Sequence, residues 1–332
     1  MLSSASSVVQ DLLCSTDPSI RYLTRTGLLG EDPSSPELAA LREEVRTSAR
    51  VEALLAASSP DGRLPYPANA PWAGAHWVLG CLAEIGYPPG DPRLIPLREQ
   101  VYEWLFSKEH ERSIHKNWRT LAHDGRIRAC AAYEGHALYA LNALGLADGR
   151  AELIVTRLLA WQWPEGAWNC VDNPNSLHWT FSESLAALRG LIHYAKASGN
   201  AMAARAAQQA GEVFLEHNLF EVLPLPGAQA DALLLHYPVY GRFDVLAALE
   251  VMREGGWLND PRCQSALYWL EGKRLEDGGF PLEKKNWQTG SPKLRGYSPV
   301  DWGPAGRGQS NPFVTLHALT ILEAAEQPMN RA

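Results

Sequence analysis

Five glycines recur along the chain at nearly constant spacing, and this repeat constrains the fold more than any other feature of the sequence. They are Gly30, Gly86, Gly145, Gly199 and Gly256, with successive separations of 56, 59, 54 and 57 residues. Each glycine ends an apolar stretch with helical spacing, and a turn and a further helical stretch follow it. So regular a spacing is typical of a duplicated supersecondary unit.

Each repeat combines two helical stretches of different character. The stretch before each glycine is rich in Ala and Leu and suits a buried inner helix, whereas the one after it is charged and amphipathic and suits an outer helix. Predicted inner helices span 72–85, 127–144, 179–197, 240–254 and 313–326, and predicted outer helices span 38–57, 94–107, 151–161, 203–219 and 262–273. The stretches 5–14 and 18–29 supply the remaining pair. The pattern predicts an all-α fold of six helical hairpins, an (α/α)6 toroid, forming a single domain over residues 1–332.

The turn after the helical stretch 151–161 carries a distinctive motif, Trp-Gln-Trp-Pro-Glu-Gly-Ala-Trp at positions 161–168. Gly166 suits a left-handed turn, Trp168 can dock between helix ends, and Gln162 is placed to bridge them by hydrogen bonds. Fainter copies occur at 59–64 and 275–280. The motif resembles the QW repeat of the squalene-cyclase and protein-prenyltransferase β-subunit superfamily, in which Gln and a short spacer precede Gly-x-Trp.

The QW resemblance implies a toroid with a central cavity. Full-length triterpene cyclases contain two such domains, so the chain resembles a single-domain member. The Asp-x-Asp-Asp motif of class II cyclases and the Asp-Asp-x-x-Asp motif of class I enzymes do not occur in the sequence. The long connection 281–312, rich in Gly, Pro and Trp, is expected at the rim of the cavity, because loops of this length are commonly functional.

Charge and composition narrow the range of partners. A net charge of −7 and a pI near 5.8 argue against binding to a nucleic-acid backbone. No apolar run reaches the roughly 18 residues that a membrane span needs, and the N-terminus lacks a signal-peptide layout. Five cysteines without paired spacing favour a reduced, cytoplasmic protein.

The predicted inner helices begin with aromatic and polar side chains, which would line the mouth of the central cavity. Such a wall suits a small, mainly apolar ligand of isoprenoid type, because aromatic faces stabilise cationic intermediates. The alternative is that these aromatic residues cap the core. The expected substrate-binding residues are Trp72, His76, Trp77, Tyr133, His178, Trp179, Phe313 and His317.

Asp244 and Glu134 are the expected acid–base residues. Each lies near the start of a predicted inner helix at nearly the same distance from its repeat glycine. A carboxylic acid buried among aromatic rings has the raised pKa that a general acid requires. Alternatively, each is a carboxylate stabilised by a helix N-terminus. The other expected catalytic residues are His236, Tyr237 and Tyr240, with His136 as a further possible partner.

Neither a metal nor a cofactor is expected, although one alternative remains open. Cys170 and Asp172, with a distant His, have donor atoms suited to zinc. The resembling prenyltransferase β-subunits use Asp-x-Cys and a later His, and here the order is Cys-x-Asp. The competing interpretation is an Asx turn in which Asp172 or Asn173 caps the next helix.

The sequence therefore supports three functional hypotheses. The first is a terpenoid-cyclase-like enzyme that isomerises, cyclises, hydrates or eliminates by acid–base chemistry in the cavity. The second is a non-catalytic toroid that carries a lipid or docks a protein partner. The third is zinc-dependent prenyl transfer. The fold alone does not decide among them.

Overall fold

The computed structural model describes residues 2–112, 126–170, 179–221, 231–240, 242–291 and 297–326. Within these ranges the protein is mostly helical, and its strands are limited to β1 (Gln288–Thr289) and β2 (Tyr297–Ser298), which pair in parallel. The predicted all-α class is confirmed.

The helices follow the predicted order with altered bounds. A π-helix spans Thr24–Leu28, and short 3-10 turns at Pro92–Leu94 and Pro261–Cys263 lead into α6 and α12. The α-helices are α1 (Leu2–Leu13), α2 (Pro18–Leu23), α3 (Pro36–Arg46), α4 (Ala49–Leu55), α5 (Ala75–Glu84), α6 (Ile95–Leu105), α7 (Ala131–Ala143), α8 (Ala151–Trp161), α9 (Phe181–Ser198), α10 (Ala201–Glu216), α11 (Val245–Gly255), α12 (Gln264–Glu271) and α13 (Pro312–Glu326).

The repeat glycines have the backbone conformation expected of glycines that end helices. All five have a positive φ, between 62° and 82°. Gly199 and Gly256 are left-handed C-caps, which donate backbone hydrogen bonds to the last turns of α9 and α11. A left-handed residue ends a helix at low cost only when it lacks a Cβ.

Side-chain caps explain where the predicted helix bounds were wrong. The predicted helix 38–57 is two helices, because Ser48 accepts a hydrogen bond from Val51 N and starts α4 after a break at Thr47. The predicted inner helices also begin later than expected. Asp244 caps α11 and Gly74 precedes α5, so the aromatic residues before them lie outside the helices.

Helices α7 and α9 approach each other very closely through two glycines. A Cβ added at Gly135 would lie 2.3 Å from the carbonyl oxygen of Ala186, and one added at Gly190 would lie 2.3 Å from that of Gly135. Backbone therefore packs directly against backbone, which only glycine permits at this distance. This contact fixes the relative position of two predicted inner helices.

The predicted inner helices contact one another in succession, and the last reaches the start of the chain. Contacts join α5 to α7, α7 to α9, α9 to α11, α11 to α13, and α13 to the π-helix and α2. Gly27 of the π-helix lies against Thr320 of α13. Arg50 Nη1 donates a 2.7 Å hydrogen bond to the carbonyl oxygen of Asp301, and its guanidinium lies over Trp302. The two ends of the described chain are thus packed together.

The Trp-Gln-Trp turn is built as its motif predicted. Gln162 Nε2 donates to the carbonyl oxygens of Gly166 at 2.8 Å and of Ala206 in α10 at 2.9 Å. Trp168 is fully buried, and its Nε1 donates to the carbonyl oxygen of Leu158. The turn therefore links the end of α8 to the middle of α10.

The described part of the long connection packs against the segment before α11. Trp287 Nε1 donates to the carbonyl oxygen of Tyr237 at 3.0 Å, and the Trp302 ring lies 5.7 Å from the Tyr237 ring. No helix in the described ranges combines the length and the apolar character that crossing a bilayer requires.

Candidate active site: a cavity between the inner helices

A cavity of about 90 Å³ lies among the helices α5, α7, α9, α11 and α13. Its wall combines apolar side chains from α9 and α11 with a group of ionisable ones. The ionisable or hydroxyl-bearing wall residues are Glu84, His136, Ser182, Arg189, His236, Tyr237, Tyr240, Arg242, Glu250 and His317. Four of the residues predicted to be functional, His236, Tyr237, Tyr240 and His317, line this cavity.

Tyr240 is held in the wall by a short hydrogen-bonded chain. His76 Nε2 lies 2.9 Å from the carbonyl oxygen of Tyr133, so that nitrogen carries the proton. His76 Nδ1 is consequently an acceptor, and the Tyr240 hydroxyl donates to it in a short contact. The Tyr240 ring also stacks on Trp77, with centroids 3.4 Å apart. Burial lowers the pKa of His76 to about 4, so the ring is neutral at physiological pH.

Four wall residues carry buried polar atoms that find no hydrogen-bond partner among the described residues. The atoms are the Tyr237 hydroxyl, His136 Nε2, His317 Nε2 and His236 Nδ1, the last of which lies 3.3 Å from Asp244 Oδ2. His136 Nε2 packs against Gly80, where a Cβ would lie only 2.0 Å away. Leaving such a group unpaired costs about 1–3 kcal/mol. Because the residues that carry these atoms line one cavity, it is a candidate place for a polar group of a ligand.

Burial sets the protonation of two of these groups. It raises the pKa of Tyr237 well above its usual value, so the phenol keeps its proton. It also lowers the pKa of His136 well below its usual value, an effect that the neighbouring His76 reinforces. At neutral pH the wall therefore offers a phenol donor and an uncharged imidazole.

A buried ion-pair network forms one side of the cavity. Arg189 bonds Glu84 in a short contact and Glu254 at 2.8 Å, and its guanidinium lies 3.8 Å from the centre of the Tyr139 ring. Burial opposes the charge of Arg189, but attraction to Glu254 and Glu84 raises its pKa. Burial likewise opposes the charge of Glu254, but Arg189 lowers its pKa. Both partners are thus ionised.

The two expected acids do not line this cavity. Asp244 is the N-cap of α11: its Oδ1 accepts from Ala247 N and its Oδ2 from His236 N, both at 2.8 Å. Glu134 is fully buried and lies 2.9 Å from His110 Nε2 and 3.6 Å from Arg157 Nη1. Asp244 is engaged through both oxygens, whereas Glu134 is engaged through Oε1 and its Oε2 finds no partner among the described residues. Neither carboxylate is among the residues that line this cavity. The alternative interpretation of Asp244, a carboxylate that is stabilised by a helix N-terminus, agrees with its position as the N-cap of α11.

Several expected wall residues occupy other positions. Trp179 packs against Phe181. The Phe313 ring stacks on the Tyr237 ring and also contacts the Trp302 ring. Trp72 is buried against Trp77, and Tyr133 reaches the cavity only through His76 and Tyr240. These four are not among the residues that line this cavity. His178 lies outside the described residues, as does Asp172.

A second group of reactive side chains lies at the starts of α7 and α9. Cys130, Cys170 and Glu183 place their thiol and carboxylate atoms within 4.8 Å of one another. The Cys130 hydrogen bond lowers the pKa of Cys170 to about 6, while burial raises that of Glu183. Glu183 thus has the property expected of Asp244 and Glu134. The sequence indicated Cys170 but neither Cys130 nor Glu183, because 40 residues separate the two cysteines along the chain.

Comparison with known proteins does not assign the chain to a family. No protein-family model matches it, and no curated protein is significantly similar to it. The function is therefore inferred from the site itself.

Proposed function

We propose that the protein is an (α/α)6 toroid whose central cavity performs acid–base chemistry on a small, mainly apolar substrate. The succession of contacts from α5 to α13 and back to the π-helix supports a closed ring of inner helices. The Gln162 bridge between α8 and α10 supports the same arrangement, because it ties one outer helix to the next. The QW resemblance adds to this support.

The observation that carries the functional proposal is the group of unpartnered polar atoms on the cavity wall. Tyr237 and His317 lie 5.6 Å apart between ring centroids, so one polar group of a substrate can contact both. Tyr237, which keeps its proton, donates a hydrogen bond to a substrate oxygen. His136, which is uncharged, takes up and returns a proton during the reaction.

One part of the wall favours positive charge that develops in a substrate. The wall carboxylates Glu84 and Glu250 pair with Arg189 and Arg253, so their charges are already compensated. The Tyr240 ring, backed by Trp77, presents an aromatic face, which stabilises a cation.

Loss of water from an allylic alcohol creates such a charge. The C–O bond breaks as the Tyr237 phenol gives its proton to the leaving hydroxyl, which departs as water, and His136 takes the proton lost from the adjacent carbon and returns it to the Tyr237 oxygen. Isomerisation, hydration and elimination are therefore the reactions proposed.

The volume of the cavity restricts the substrate. At about 90 Å³ it is smaller than the roughly 150 Å³ cavity known to bind benzene. The proposed substrates are therefore short alkenes and alkenols.

The test compares two phenylalanine variants. Tyr237→Phe removes the unpartnered hydroxyl from the cavity wall, and Tyr102→Phe removes a buried, unpartnered hydroxyl that lies elsewhere. Protein purified from cells would be analysed by native mass spectrometry for a bound small molecule. It would then be incubated with short alkenols in deuterated water, and deuterium in the recovered alkenol would report proton transfer.

We expect deuterium incorporation by the wild type and by Tyr102→Phe, and at least about a tenfold lower rate for Tyr237→Phe. Equal rates for the two variants would refute the role of the cavity wall. A bound lipid without incorporation would support the non-catalytic carrier, and a co-purified polypeptide would support the docking module.

A further inference from the structure

The cluster of Cys130, Cys170 and Glu183 joins three separate parts of the chain. Cys130 is the residue before α7, Cys170 follows the Trp-Gln-Trp turn, and Glu183 lies in the first turn of α9. Glu183 is 3% exposed, and both cysteines are free and partly buried. Three acidic groups are thus gathered in the interior next to the proposed cavity, although they are not part of its wall.

Backbone hydrogen bonds hold the carboxylate in place. Glu183 Oε1 accepts from Ala131 N at 2.8 Å, and Oε2 accepts from Cys170 N at 2.7 Å. These amides belong to the residue after Cys130 and to Cys170 itself, so the carboxylate fixes the backbone beside both thiols. Thr180 Oγ1 also donates to Oε2, at 3.3 Å. A carboxylate has about four lone-pair positions, so one remains for another partner.

Cys130, Cys170 and Glu183 are all acidic groups. Their donor atoms lie within 4.8 Å of one another. Burying several acidic groups together is unfavourable unless a cation or shared protons neutralise them. A bound cation would remove this cost.

We propose that Cys130, Cys170 and Glu183 bind a thiophilic divalent cation, of which zinc is the most common in proteins. In a tetrahedral site with Zn–S distances of about 2.3 Å, the sulfur atoms lie about 3.7 Å apart. The three donor atoms, all within 4.8 Å of one another, reach this arrangement with small side-chain movements. Both thiols lose their protons to solvent when the cation binds.

The donor set also indicates the kind of site. Two thiolates favour zinc over magnesium or calcium, which prefer oxygen ligands. Three protein donors leave one tetrahedral position for water or a substrate, as in catalytic zinc sites. The backbone amides of Ala131 and Cys170 orient Glu183 in the way that outer hydrogen bonds orient metal ligands.

The experiment measures metal in the full chain purified under reducing conditions from cells supplied with zinc. We expect about one zinc per chain in the wild type and in Cys14→Ser, which removes an exposed cysteine away from the cluster. Cys130→Ser and Cys170→Ser are each expected to retain less than about a tenth of that amount. Glu183→Gln keeps the shape of the side chain and is expected to weaken zinc affinity at least about tenfold.

Cobalt(II) provides a second measurement that does not depend on the folding of a variant. Replacing zinc by cobalt in the wild type is expected to give thiolate-to-cobalt charge-transfer absorption and the d–d bands of a tetrahedral site. Wild-type protein without zinc and without this absorption would overturn the proposal. A Cys130–Cys170 disulfide in freshly prepared reduced protein, or full zinc content in both cysteine variants, would do the same.

Discussion

The contact between α7 and α9 makes Gly135→Ala a severe test of the packing. The added Cβ would lie 2.3 Å from the Ala186 carbonyl oxygen and 2.5 Å from the Ala187 Cα. Both are backbone atoms, so the helices must separate by about 1 Å to restore ordinary contact.

Overpacking in a core costs about 1–3 kcal/mol of unfolding free energy. We expect a cost near the upper end of this range, because backbone atoms cannot move aside as a flexible side chain can. Alanine recovers about 1 kcal/mol through helix propensity. We therefore expect a net loss of about 2 kcal/mol in unfolding free energy.

Urea denaturation, followed by tryptophan fluorescence and far-ultraviolet circular dichroism, measures this loss as a lower midpoint at constant slope. Gly27→Ala is the matched control, because the nearest atoms to a Cβ there belong to Thr320 at 3.7 Å and 3.8 Å. That substitution is expected to be neutral or stabilising by up to about 1 kcal/mol. If Gly135→Ala proves as stable as Gly27→Ala, the close backbone contact is refuted.

Three further perturbations test other features, each by urea midpoints against the wild type. Gln162→Ala leaves the carbonyl oxygen of Ala206 without its bridge and should cost about 2 kcal/mol; an unchanged midpoint would contradict the bridge. Gly256→Ala places a Cβ at φ 82° with open space around it, so it should cost about 1 kcal/mol from strain alone; a gain in stability would contradict that. The hydrogen bond from Arg150 lowers the pKa of Glu99 to about 2, so its stabilisation is present above the unfolded pKa of 4.5 and is lost as pH falls towards 2. Glu99→Gln should therefore be less stable than the wild type at pH 7, by at most about 1 kcal/mol, with a gap that closes in acid; a gap that widens in acid would refute the sign.

The helical class and the repeat were predictable because they depend on local chemistry. A glycine that ends a helix must adopt a left-handed conformation, and this requirement can be seen in the sequence at Gly199 or Gly256 without knowledge of the fold. The bridging role of Gln162 was predictable for a similar reason, since its partner Gly166 belongs to the same turn.

Helix starts were harder to predict, because an apolar run does not show where the backbone changes from extended to helical. Tyr240 continues the apolar pattern of α11, yet the helix begins only after Asp244, whose side chain caps it. The same carboxylate was interpreted as an acid for the cavity. One of its two backbone hydrogen bonds comes from His236 N, eight residues earlier in the chain. No local pattern in the sequence reveals that these two residues are in contact.

The thiol and carboxylate cluster was beyond prediction for a different reason. Cys130 and Glu183 come together only because Gly135 and Gly190 allow α7 and α9 to pack backbone against backbone. The sequence contains all four residues, but their juxtaposition requires the register between the two helices. Conversely, the cavity residues Tyr237, Tyr240 and His317 were predictable as a group because repeated units place equivalent positions at the same end.

The contact between Gly27 and Thr320 has a consequence for the way the chain is synthesised. In an open array of repeats, each unit is stabilised by its neighbours alone, so the first units can fold while later ones are still being made. Here the π-helix near the N-terminus packs against α13, the last helix described. Thr320 is synthesised 293 residues after Gly27. Until then the π-helix lacks the helix that covers it, so loss of residues 312–326 is expected to destabilise the segment around Gly27 as well as the region next to α13.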